Sequence, residues 1–224
     1  MGEAWLDNPI NPRDVPIPQE IRDKWQNIVN ILVRIMKVPA ALIMRVNFPV
    51  FTVFQSGGTE ENPFRAGQEF KLPAGIYCEK TMRTKEKQLV PNALKDPEWD
   101  KNPSIPAGMI SYLGFPIFYP DNDVFGTLCI LDNKENSYSS DFEEVMSQFK
   151  EIIESHLKLL WQKMTLEELL KRQKIAEEEA IDKAKEIARF NNLCVDRELR
   201  IIELKEKIAR LENALNSFQR GGHQ

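Results

Sequence analysis

SYLGFPIFYPDNDVFGTLCILD, from Ser111 to Asp132, decides the fold. Its two halves, Ser111 to Tyr119 and Val124 to Asp132, are apolar on either alternation of side chains, as in strands covered on both faces. Pro120, Asp121, Asn122 and Asp123 supply a turn between them, so the stretch reads as a hairpin at the centre of a sheet. Gly114 and Gly126 lack side chains and let neighbouring elements approach the sheet closely. Alternation sets Tyr112 and Gly114 on one face of the first strand and Leu113, Phe115 and Ile117 on the other. The more aliphatic face is expected to meet helices, which leaves Tyr112 on the opposite one.

Upstream, Pro9, Pro12, Pro16 and Pro18 forbid a regular helix, and residues 1–18 read as an extended arm strapped across the domain. From Gln19 the steps Ile21, Trp25, Ile28, Leu32 and Ile35 predict an amphipathic helix, with Val29 and Met36 widening its stripe and Pro39 closing it. ALIMRV (41–46) and FTVFQS (51–56) read as a second hairpin, ended by Gly57 and Gly58. Residues 59–72 read as a polar loop, 73–85 as a short helix, and 88–94, interrupted by Pro91, as a strand at a sheet edge. Residues 95–109, with Pro97, Trp99, Pro103 and Pro106, read as an irregular, well-tethered segment.

Downstream, Ser139, Ser140 or Asp141 is placed to cap a helix that continues for about eighty residues without Pro or Gly. At about 1.5 Å per residue it would span about 120 Å and cannot fold back along its length without a turn. Phe190, Cys194, Arg197, Ile201, Leu204, Ile208, Leu211, Leu215 and Phe218 step by four and three, a coiled-coil heptad in which only Arg197 is out of character. Such a stripe needs a partner helix. Between Glu167 and Arg189 the charges nearly balance, and Glu167–Lys171, Glu168–Arg172 and Glu179–Lys183 have the favourable four-residue order, which describes a solvated rod. Its seam there rests on Ala176, Ala180, Ala184 and Ile187 and is weak. The predicted organisation is an arm (1–18), a globular domain (19–160), a coiled-coil helix (161–219) and a disordered tail (220–224).

Thirty Lys and Arg against 34 Asp and Glu give a net charge of −4, so no positive field gathers nucleic acid or anionic lipid. Neither is expected as a partner. Cys78, Cys129 and Cys194 fall in three separate segments without a CxxC or Cys/His cluster, which disfavours a disulfide framework or a metal site and fits a reducing cytoplasm. No apolar run approaches the ~18 residues of a membrane span, and residues 1–10 lack a signal-peptide pattern. A cytoplasmic protein is expected.

IYCEKTMRTKEKQLVPNALKDPEW, GMISYLGFPIFYPDNDVFGTLCILD and the helix after them resemble a GAF domain of the kind found as sensory input in bacterial signal-transduction proteins, over residues 19–160. The resemblance implies an α+β fold, with an antiparallel sheet of five or six strands between helical layers, followed here by the coiled-coil helix. It implies that the first and last helices form a dimeric bundle and that the other sheet face encloses a ligand. Relatives usually run on into a histidine kinase, as in two-component systems, or a nucleotide cyclase. Here no output domain follows, which leaves either a fragment or a chain acting on a downstream kinase or cyclase partner.

Tyr77, Cys78, Trp99 and Tyr112 flank regions that resemble the family's pocket wall, and rings with a polar handle suit a small organic ligand, although core filling explains them as well. Asn92 and Arg45 are further polar candidates. The ligand itself is not specified. Asn133 and Lys134, with Tyr138 in place of Phe and Asp141 near the acidic position, partly resemble a signature of nucleotide-binding GAF domains, in which the Lys and Asp form an internal ion pair. Cys78 and Cys129 invite comparison with GAF-fold enzymes that reduce free methionine sulfoxide, but nothing resembles their cysteine-bearing loop, and no enzymatic activity is expected. The Cys-His pair of bilin-carrying relatives is missing too. His156, within IIESHLKLL, lacks the sequence context of a phosphoacceptor and reads as a partly packed helix residue. The expectation is a cytoplasmic homodimeric sensor of a small molecule, with a ligandless scaffold and a cyclic-nucleotide-binding regulator as the alternatives. Repacking of Val145, Phe149, Ile152, Ile153 and Leu160 would move the two helices of the dimer.

Overall fold

The computed structural model describes residues 10–221, with side chains described through Glu212. It divides into a compact unit ending at Glu167 and a second unit from Glu168 onward. Leu215 and Phe218 of the heptad, and the first nine residues of the arm, lie outside the described side chains.

In the first unit, six antiparallel strands form one sheet in the order β3-β2-β1-β6-β5-β4. The strands are β1 (Ala40–Asn47), β2 (Val50–Gly58), β3 (Glu69–Lys71), β4 (Gln88–Val90), β5 (Ser111–Phe118) and β6 (Val124–Asp132). This is the expected α+β fold, an antiparallel sheet covered by helices. The hairpin expected at the centre is β5–β6, but the order makes β1 and β6 the central pair and puts β5 next to the edge. Strand β6 pairs Leu42 with Cys129 on one side and Gly114 with Cys129 on the other. The interrupted strand falls at the edge, as β4, with Pro91 just beyond it. Strand β3 lies inside the segment expected to be loop. Three residues are too short to carry a period-two signal.

Helix α1 (Gln19–Met36) and the first part of α3 (Ser140–Gly221) cover one sheet face; α2 (Tyr77–Thr84) and irregular segments cover the other. On α1 the buried stripe is Trp25, Ile28, Val29, Leu32, Val33 and Met36. Ile35, expected in that stripe, is instead 51% exposed, because the face that meets β1 and β2 is centred one position away. Trp25 forms edge-on contacts with Phe54 and Phe125 at 5.6 Å in this layer. Where α3 packs here, Met146, Ile153, Leu157 and Trp161 are buried and Val145 and Phe149 partly so, whereas Ile152 is largely exposed.

The arm is less extended than expected. Asn11 caps a single 3-10 turn at Pro12–Asp14, and Val15 and Ile17 insert into the domain. The Trp161 indole N–H donates to the Ile10 carbonyl at 2.9 Å, tying arm to helix. Ser139 is the cap of α3, its Oγ accepting from the Phe142 N–H.

In the second unit α3 continues as helix through the charged run. Glu168 pairs there with Arg172, while Glu167, the last residue of the first unit, pairs with Lys163 rather than Lys171. Its heptad side chains Phe190, Cys194, Ile201, Leu204, Ile208 and Leu211 are all exposed.

Candidate functional site

The candidate site is the layer between the sheet and α2. Period two aims Leu42 and Met44 from β1, Phe51 and Val53 from β2, Tyr112 from β5, and Thr127, Cys129 and Leu131 from β6 into this layer. Tyr77, Cys78 and Thr81 descend from α2, and Trp99 and Met109 come from the irregular segment. The Tyr77 ring stacks on Tyr112 with centroids 5.1 Å apart and leans on Trp99 at the same distance. Its hydroxyl donates to the Met109 carbonyl.

Tyr112 can lie across the sheet because the next residue on its face is Gly114. A Cβ there would sit 2.8 Å from Tyr112 Cε1 and closer still to Cζ and Oη. The Tyr112 hydroxyl shares a hydrogen bond with the Thr81 hydroxyl at 2.9 Å. Beside it, Cys78 Sγ lies 3.6 Å from Cys129 Sγ. The Thr127 hydroxyl is buried against the same group, with no hydrogen-bond partner among the described residues. Two thiols and three hydroxyls thus form an uncharged polar patch inside an apolar layer. Burial pushes the Tyr77 hydroxyl up to about 12. Burial, and then the neighbouring Cys78, raises Tyr112 well above the ordinary value.

The layer is closed. The cavity among Leu42, Met44, Phe64, Phe70, Ile76, Tyr77, Cys78, Ser104 and Leu131 has about 20 Å³. One water needs about 10–15 Å³ on this measure, and organic ligands occupy pockets of ~300–1,000 Å³. Tyr77, Cys78, Trp99 and Tyr112, expected together, are brought together; Tyr77 and Cys78 border this small cavity, while Trp99 and Tyr112 pack against Tyr77.

The other two candidates lie elsewhere. Asn92 caps the 3-10 turn Ala93–Lys95, accepting from the Leu94 N–H and donating to Glu135, and is not part of the aromatic group. Arg45 projects from the opposite face of β1, where its guanidinium stands 5.6 Å above the Phe125 ring and 6.0 Å above Phe54. Alternation along β1 explains this, since Met44 already occupies the α2 side.

Sequence reasoning missed a groove of about 650 Å³ at the end of the sheet where the β1–β2 and β5–β6 turns meet the last turn of α2. Val46, Phe48, Leu72 and Met82 make its apolar surface, and Arg83 and Lys85 stand on its rim. Its walls come from segments distant in the chain, and no local pattern announces it. The residues of the partial nucleotide signature make contacts within the domain. Asn133 donates to Glu61, and Lys134 makes no ion pair with Asp141 among the described residues. Tyr138, in the Phe position, is buried and hydrogen-bonded to Ser111 at 3.1 Å. A nucleotide does not fit the closed interior.

On the α1 face, His156 accepts the Trp25 indole N–H at Nδ1, 3.1 Å away. Burial, then the nearby Lys24 charge, lowers its pKa below the ordinary value. A proton on Nδ1 would displace the hydrogen bond of a fully buried indole, which suits a packing role better than phosphate transfer.

A six-stranded antiparallel sheet with α1 and α3 on one face and a short helix over a buried polar patch on the other defines a GAF-type domain. Residues 21–157 match the GAF domain family, and the chain belongs to it. Among solved structures it is similar to the GAF domain of an Acinetobacter phosphoenolpyruvate-protein phosphotransferase, at 19% identity over 61% of this chain and 81% of that one, TM-score 0.50. It is also similar to the blue-light absorbing form of the Thermosynechococcus elongatus PixJ GAF domain, at 17% identity over 70% of this chain and 96% of that one, TM-score 0.52. A third is the phycoerythrobilin-bound GAF domain of a cyanobacterial phytochrome, at 13% identity over 65% and 89%, TM-score 0.54. At these identities the likeness is one of fold. No curated protein matches the chain. No helix among the described residues is long and apolar enough to cross a membrane.

Proposed function

We propose that this chain is a non-enzymatic regulatory GAF module that acts in the cytoplasm as a homodimer and relays the state of its domain through α3 to a kinase, a cyclase or another partner. The observation that carries this reading is the unpartnered apolar stripe on α3. Phe190, Ile201, Leu204, Ile208 and Leu211 are 43–66% exposed. Burying one such side chain is worth about 1.5–3 kcal/mol, so a dimer burying ten has on the order of 15–30 kcal/mol of gross gain, against about 4–15 kcal/mol lost on association. A parallel pairing, with the first part of α3 and α1 contributing, aligns two GAF domains to act on one rod. Sedimentation equilibrium at micromolar protein is expected to find twice the 26.0 kDa chain mass. Ile201→Glu with Leu204→Glu is expected to halve that mass. A wild-type monomer would remove the relay.

The input is a small molecule in the reading based on family resemblance. The 20 Å³ interior favours a second reading, in which the GAF fold is ligandless and serves as a dimeric scaffold. Native mass spectrometry separates the two: an adduct of a few hundred daltons retained from the expressing cell supports a ligand, and a bare protein mass supports the scaffold.

A further inference from the structure

Two cysteines 51 positions apart in sequence meet in the sealed layer, one on α2 and one on the central strand β6. Cys129 is fully buried and Cys78 is 5% exposed. Their sulfurs are in van der Waals contact at 3.6 Å, on side chains from separate elements, with the Thr81, Tyr112 and Thr127 hydroxyls in the same layer. Cys78 also borders the 20 Å³ cavity. That space admits a molecule about the size of water, which excludes organic ligands but suits the smallest hydroperoxide.

We propose that Cys78 and Cys129 form a redox-active dithiol, which a hydroperoxide entering beside Cys78 converts to an intramolecular disulfide tying α2 to β6. The Cys78 thiolate attacks the distal peroxide oxygen, the O–O bond breaks, and the departing oxygen takes up the thiol proton. Cys78 is then a sulfenic acid, and the peroxide has become water. Cys129 sulfur attacks the sulfenic sulfur, the S–O bond breaks, and the hydroxyl leaves as water with the Cys129 proton. One peroxide is reduced by two electrons, and two thiols become one disulfide. The roles follow from position, since Cys78 borders the cavity and Cys129 lies behind it. They also follow from charge. Burial opposes ionisation of Cys78, but the Cys129 thiol and the Tyr112 and Thr127 hydroxyls around it outweigh this and hold its pKa below the ordinary value. Burial, then Cys78 itself, pushes Cys129 well up. A disulfide requires about 2.05 Å between sulfurs, so the 3.6 Å gap must close by more than an ångström at a point where Tyr77, next to Cys78 on α2, is stacked on Tyr112. This supplies an input that needs no pocket, and it forms within one chain whether or not the chain dimerises.

The test uses the full chain carrying Cys194→Ser, which removes the exposed thiol. Native protein is treated with hydrogen peroxide, alkylated after denaturation, proteolysed and weighed. One peptide pair joining Cys78 to Cys129 is expected, two hydrogens lighter than the separate thiols and restored by dithiothreitol. With Cys129→Ser added, a dimedone adduct is expected on Cys78; with Cys78→Ser added, Cys129 stays a thiol. Recovery of both cysteines as alkylated thiols, or a linked peptide that appears only when peroxide is added in urea, overturns the proposal. The first measurement needs neither added substitution, so poor folding of the added variants does not blunt it.

Discussion

Gly114→Ala probes the closure of the α2 layer most directly. The new methyl would lie 2.8 Å from Tyr112 Cε1 and nearer still to the ring carbon and oxygen beyond it, well inside contact distance. Tyr112 is fully buried, stacked on Tyr77 and hydrogen-bonded to Thr81, so its ring must withdraw against packed neighbours. Overpacking a core costs about 1–3 kcal/mol, and losing the hydroxyl pair adds roughly 0.5–1.5 kcal/mol. The expected destabilisation is therefore about 2–4 kcal/mol, a large share of the ~5–15 kcal/mol that holds a domain together. At about 2–4 °C per kcal/mol for a unit of this size, Tm should fall by roughly 5–15 °C. Tryptophan fluorescence follows this unfolding without the signal of the long helix, because Trp25, Trp99 and Trp161 are all buried in the first unit. Thr81→Val supplies the scale for the hydroxyl alone, about 1–2 kcal/mol. Combining Gly114→Ala with Tyr112→Leu should cost less than the sum of the two by at least about 1 kcal/mol, since the smaller side chain no longer meets the methyl. A Tm within 2 °C of wild type by this scale, or strict additivity in the double variant, would refute the account of how the layer is closed.

His156 gives a pH signature. Its pKa is lowered in the folded protein, so the unfolded chain takes the proton first. Stability contributed by the neutral ring is fully present above the ordinary value of 6.5 and declines as pH falls below 6.5 toward the folded value. The urea midpoint of wild type relative to His156→Gln should therefore drop between pH 7 and pH 5.5, and a flat difference would show that the Trp25 bond carries no such linkage. Gly57→Ala tests the α1–β2 contact: its Cβ would meet the Val29 carbonyl carbon at 2.6 Å and oxygen at 2.8 Å, and helix backbone cannot turn aside. A loss of about 3 kcal/mol is expected in denaturant titration, and a near-neutral result would mean that α1 slides easily on the sheet.

Much of the fold was legible because the β5–β6 hairpin obeys the geometry of strands buried on both faces. Alternation alone assigned Tyr112 to one side of β5 and Leu113, Phe115 and Ile117 to the other, and their two packing layers agree. The same rule applied to ALIMRV would have put Arg45 with Ala41 and Ile43, away from Tyr112. The polar head of Arg45 makes it a candidate for the site, but its strand phase places it on the other face. Ile35 shows the limit of a helical stripe, since steps of three and four fit two adjacent faces of α1 and only contact with β2 selects between them. The state of the interior was not legible. Whether Tyr77, Trp99 and Tyr112 surround a space or fill it depends on three segments meeting within an ångström, and no local pattern encodes that.

The two layers that sequence reasoning linked as input and output sit on opposite faces of one sheet, and β6 belongs to both. Cys129 faces α2, while Leu128 and Ile130 face α1 and α3. From the end of β6 to the start of α3 the chain is braced rather than slack. Asn136 donates to Asp132 and to the Pro91 carbonyl, its side-chain oxygen accepts from the Tyr138 N–H, and Tyr138 is held to Ser111. A pull on Cys129 from α2 therefore acts on a strand whose far face and whose exit both bear on the helix that carries the exposed stripe. A flexible linker would absorb such a displacement, whereas a hydrogen-bonded corner passes it to the first turn of α3. On the proposed relay, therefore, the buried thiols, rather than the open groove at the sheet end, are the better-placed input to a helical output.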